Sequence, residues 1–143
     1  MKHADVKKKV KEEIKAKIGG SMTEARERIS IDSPLEYLES VCMEALRLTP
    51  PVKISKMYEI SKEIRLYDIA KPVMLPKGTK FLLNFVAVGR DIKDRKEPLK
   101  FNPDLTPTVD WPMISLNERN CPQMSLVLML QKMVVFMYLA KEK

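Results

Sequence analysis

The sequence predicts a mainly helical α+β protein. Three observations lead there. Residues 33–48 carry helix spacing between a capping signal and a Thr-Pro-Pro stop. An apolar run from Met124 to Ala140 is long enough for a buried helix. Between them, residues 52–85 read as short strands separated by turns. With 143 residues, 45% of them apolar and 31% charged, the chain has the composition of one folded domain rather than a disordered segment.

Residues 1–20 open with a basic helix. Val6, Val10, Ile14 and Ile18 recur every fourth position among lysines, and Gly19-Gly20 stops the pattern. So narrow an apolar stripe is expected to leave most of this helix solvated, with His3 on its frayed start. The stretch lacks the apolar segment of a signal peptide, so neither a signal nor a membrane anchor is expected from it.

In the 33–48 helix, Ser33 is the expected N-cap, Pro34 suits the first turn, and Glu36 completes a capping box. Leu35, Leu38, Val41, Cys42, Ala45 and Leu46 form the apolar face. Taken alone, Glu44 and Arg47 lie opposite Leu38 and read as a solvated ion pair. Such a pair stabilises a helix by about 0.2–0.5 kcal/mol.

Within 52–85, "VMLPKGTKFLLNFVAV" places a Pro-Lys-Gly-Thr turn before an extended apolar run. Residues 86–121 are rich in turn formers and are expected to be loops. The last helix is expected over 122–143. Gln131 and Lys132 interrupt its apolar run, so it reads as a buried helix rather than a membrane span.

A formal charge of +7 allows nucleic acid, anionic membrane or acidic protein as partner. No aromatic interleaving or recognition motif accompanies the lysines, so no nucleic acid is expected. Two cysteines and one histidine are too few for a disulfide framework or a Cys/His zinc site. Cys121 stands out from Cys42, because it sits before the last helix and two residues after Arg119, in "SLNERNCPQMSLVLMLQK".

Four segments occur in one order: "EALRLTPPV" (44–52), "LPKGTKFLLNFVAVGRD" (75–91), "FNPD" (101–104) and "RNCP" (119–122). Together they resemble the C-terminal part of the cytochrome P-450 family of heme-thiolate monooxygenases, from about residue 4 to the last helix. In that family a Glu-x-x-Arg helix precedes Pro-Pro, a small sheet, a Phe-x-Pro segment and a cysteine loop that leads into a long helix.

The resemblance implies heme as cofactor, with Cys121 as the axial ligand of its iron and Arg119 paired with a propionate. It implies a structural role for Glu44 and Arg47, which would tie their helix to the chain before the cysteine. A thiolate ligand pushes electron density toward oxygen bound on the far side of the iron, as is established for these proteins. A helix N-terminus also favours the thiolate over the thiol.

The implied activity is oxidation of an organic substrate by dioxygen, with electrons from a reductase. For a full-length eukaryotic relative the implied location is the endoplasmic reticulum membrane. The family's cysteine loop reads Phe-x-x-Gly-x-Arg-x-Cys-x-Gly, where this chain has Ile114, Asn117 and Gln123 in place of the Phe and the two Gly. Leu105 stands where the family has an arginine that joins the Glu44 and Arg47 partners. The chain also lacks the helix that handles oxygen on the distal face. It is therefore expected to be a truncated or divergent form completed by the missing half of the fold or another chain. The alternative is a non-catalytic remnant or interaction module that binds no heme.

Overall fold

The computed structural model describes residues 3–19, 34–67, 71–91, 96–105 and 122–141. Their packing separates into two compact units, residues 1–49 with 99–143, and residues 50–98.

Among the described residues, the first unit is built on three helices: α1 (Ala4–Lys17), α2 (Glu36–Leu48) and α4 (Met124–Lys141). Val6, Val10 and Ile14 of α1 are buried together with Leu35, Leu38, Val41 and Cys42 at α2 and with Phe136 and Leu139 of α4. The stripe of α1 is core, and most of the remaining helix is exposed, as the spacing predicts. Its stripe is narrow because one line of side chains at spacing four is all that seats against α2. The helix ends where Ile18 N–H donates to Ile14 O, and Gly19 follows with φ +71°, a left-handed residue that stops a helix readily only as glycine.

The start of α2 differs from the capping box. Ser33 lies outside the described residues, and the cap position falls on Leu35, whose side chain offers no acceptor. The acceptor comes from α1. Glu13 Oε1 takes the N–H of Tyr37 at 2.9 Å, and Oε2 takes that of Leu38 at 2.9 Å. Glu36 pairs with Lys17 at 2.8 Å, and Lys17 Nζ also donates to Pro34 O at 2.6 Å. Two otherwise orphaned helix donors are thus satisfied from another helix. Removing the Glu13 carboxylate strands both. Glu13→Ala is expected to cost about 1–3 kcal/mol. Denaturant unfolding checks it, and an unchanged midpoint would mean that water caps α2 equally well.

Helix α4 begins at Met124, with Val127 N–H bonded to Gln123 O, slightly later than the sequence predicts. Among the described residues, no helix is long and apolar enough to cross a membrane.

Among the described residues, the second unit holds two antiparallel pairs. Strand β1 (Tyr58–Glu59) pairs with β4 (Lys80–Phe81), and β2 (Ile64–Leu66) with β3 (Val73–Leu75). Tyr58 stacks on its register partner Phe81 with ring centroids 5.5 Å apart. The Pro76–Thr79 turn closes through Thr79 N–H and Oγ1 to Pro76 O at 3.2 and 2.7 Å. Gly78 there has φ +86°, the left-handed third position of a type II turn.

The extended run expected after this turn stops at Asn84. Asn84 bridges to Ile54, and its Oδ1 accepts from Ala87 N–H at 3.1 Å, capping the short helix α3 (Phe85–Val88). A side-chain acceptor beside free N–H groups competes with the ladder and wins. The loops expected over 86–121 are thus interrupted by the end of α3 and by a 3₁₀ turn at Pro103–Leu105.

Candidate functional site

The most highly organised polar cluster of the described residues lies on α2. Glu44 and Arg47, one helical turn apart, are 0% and 1% exposed. Arg47 Nε donates to Glu44 Oε2 and Nη2 to Oε1, both at 2.7 Å, a bidentate fork. The pair also holds the chain at residues 100–102. Arg47 Nη2 donates to Lys100 O at 3.1 Å, and Asn102 N–H donates to Glu44 Oε1 at 2.9 Å. The reading of the pair as solvated is corrected. The face opposite Leu38 is covered by the returning backbone, which no spacing rule within the helix could reveal.

The 100–105 segment is tied down further. Asn102 Oδ1 accepts from Asp104 N–H at 3.2 Å and shapes the 3₁₀ turn. Lys9 of α1 pairs with both Asp104 oxygens at 2.9 Å. The His3 ring lies 5.0 Å from that of Phe101. Leu105 is 66% exposed.

Cys121 and Arg119 lie outside the described residues. In sequence, Cys121 stands three positions before the first residue of α4. Cys42 is buried on α2, and its thiol is pushed up to about 12. Burial is the main cause. Lys132 opposes it, and Glu39 adds to it. At neutral pH Cys42 is therefore a protonated, apolar-packed thiol and a poor metal ligand. Among the described residues, no cluster of three or more His, Cys, Asp or Glu could hold a metal ion.

Two features escaped the sequence reading. Lys132, the charge within the apolar α4, is buried and reaches Glu39 Oε2 at 2.8 Å. A lone charge within an apolar helix is the sequence signal for such a pair, but it does not name the partner. An open apolar groove of about 390 Å³ also runs beside α2 and α4, with Val41, Ala45, Phe101, Leu130 and Val134 among its walls.

A mainly helical α+β chain with small antiparallel strand pairs is consistent with part of the cytochrome P-450 fold, and comparison with known proteins agrees. The family model Cytochrome P-450 matches residues 1–104. Berbamunine synthase of Berberis stolonifera is 33% identical over 104 residues, 73% of this chain and 20% of its own length. Cytochrome P-450 71B31 of Arabidopsis thaliana is 31% identical over 136 residues, 87% of this chain and 26% of its own. Ferruginol synthase of Isodon rubescens is 35% identical over 107 residues, 72% of this chain and 20% of its own. The chain belongs to the cytochrome P-450 family. It spans 20–26% of the length of these relatives, so it represents a portion of the family fold.

Proposed function

We propose that this chain supplies the cysteine-ligand side of a heme-thiolate monooxygenase. In this reading Cys121 holds the heme iron, Arg119 pairs with a propionate, and the Glu44–Arg47 fork fixes the chain leading toward them. The observation that carries the reading is the buried fork itself. Burying two charges costs several kcal/mol before their attraction and hydrogen bonds offset it. Here that arrangement specifies the path of residues 100–102 rather than merely filling a core.

The donor set suits the group. Of the two cysteines, Cys42 is held as a thiol by burial. Cys121 precedes a helix N-terminus, where peptide dipoles favour the anion. When bound, thiolate-ligated heme iron supplies the activation of dioxygen. The chain's own part is to present one sulfur, neutralise a propionate and exclude water with the apolar surface of α4. The electrons would come from a reductase. The organic substrate would be shaped by parts of the relatives' length that this chain does not span.

Leu105 favours a second reading, a family remnant that binds no heme. It occupies the position of the family's third charged partner and is largely exposed, while backbone groups of Lys100 and Asn102 fill part of that partner's place.

Absorption spectroscopy separates the two. Purified chain mixed with heme, reduced and exposed to carbon monoxide, is expected to show the band shift of thiolate ligation. Cys121→Ser is expected to abolish that shift, and Cys42→Ser to preserve it. The reverse pattern would move the ligand to Cys42. A chain that shows no thiolate spectrum at any heme concentration would be the remnant.

A further inference from the structure

Helix α4 is apolar on nearly every side. Phe136 and Leu139 are buried, yet Leu126, Leu130, Met133, Val134 and Met137 are exposed. A helix with several comparable apolar faces gains similarly from burying any of them. Apolar burial therefore leaves its rotation about its own axis weakly specified. Within the helix only Lys132 and the terminal Lys141 carry charge. Lys132 is 4% exposed, with its Nζ 2.8 Å from Glu39 Oε2 on α2.

We propose that the Lys132–Glu39 pair sets the rotation and register of α4 on α2, and through them the point where the segment carrying Cys121 joins the helix. The Cys121 clause rests on the heme-thiolate reading; the register does not. Rotating α4 by one residue, about 100°, removes Nζ from Glu39. It leaves either an ammonium buried without its counter-charge or a lysine in water with another face buried. The first alternative is costly because an ammonium out of water needs a counter-charge. Neighbouring Gln131 cannot replace the pair, since it is neutral and its Oε1 finds no partner among the described residues. Lys132 is buried but the Glu39 side chain is 34% exposed, so water can solvate Glu39 when an apolar side chain replaces the lysine, and the exchange is expected to be nearly neutral for stability. The expected loss is therefore uniqueness of packing rather than folding.

The test is proton NMR of the full chain, following contacts from the Phe136 ring to the methyls of Val10, Ile14, Leu38 and Val41, which share its core cluster. The unmodified chain is expected to show one set of Phe136 signals with these contacts. Lys132→Met is expected to keep the unfolding midpoint but to split or lose that set. The swapped pair Glu39→Lys with Lys132→Glu is expected to restore it. A Lys132→Met chain with the single original set overturns the proposal. Should that variant fail to fold, the swapped pair decides, because multiple Phe136 sets there overturn it as well.

The reduced, carbon monoxide-treated heme complex supplies the second readout. Its thiolate band is expected to weaken in Lys132→Met and to recover in the swapped pair. A split Phe136 set with an undiminished band overturns the link to Cys121. Absence of the band from the unmodified chain defeats the heme reading and leaves the register result standing.

Discussion

Arg47→Ala is expected to destabilise the chain by about 3–5 kcal/mol. The magnitude follows from burial. An exposed Lys or Arg pair with a carboxylate contributes about 0.2–1 kcal/mol, because water solvates whichever partner remains. Glu44 is fully buried, so its carboxylate would lose both forks of the guanidinium with no solvent to replace them. Lys100 O would lose a donor in the same step. Arg47→Lys is expected to recover only part of the loss, since an ammonium cannot reproduce two parallel bonds to one carboxylate. Joint replacement by Glu44→Gln and Arg47→Met removes both charges and is expected to fall between wild type and Arg47→Ala. Denaturant unfolding with equal midpoints for wild type and Arg47→Ala would return the pair to the status of a solvated bridge.

Phe136→Ala is expected to cost a similar amount, about 3–5 kcal/mol, through transfer and cavity terms together. The ring is 1% exposed where α1, α2 and α4 meet, so truncation opens a void that three helices must close at once. Val134, two residues earlier on the same helix, is 66% exposed. Val134→Ala is expected to stay within about 0.5 kcal/mol of wild type, the range of surface changes. Thermal or denaturant unfolding of the two variants reads the contrast. Comparable losses would mean that α4 packs by a different face.

The sequence by itself determined the order and type of the main elements and the family. Helix spacing at 33–48 and over the last apolar run, the Thr-Pro-Pro stop, and the glycine of the Pro76–Thr79 turn act within a few residues of themselves. Such signals are legible because local geometry and solvation decide them. The four segments 44–52, 75–91, 101–104 and 119–122 together carried the family resemblance, and the family match over residues 1–104 covers the first three. Cys121 and Arg119 were legible only through that resemblance, and they lie outside the described residues.

What only the tertiary structure decided concerns groups satisfied by distant partners. The N-terminus of α2 is capped by Glu13, about 24 residues away and on another helix, so no capping box around Ser33 could foretell it. Glu44 and Arg47 are buried because residues 100–102 return over them, which no helical wheel contains. The stripe of α1 became core because α2 and α4 offered it an apolar face. Lys132 became buried because Glu39 stood opposite. In each case the sequence supplied the chemical group. Only the fold supplied the neighbour, and a polar or charged group changes sign, from costly to stabilising, with that neighbour.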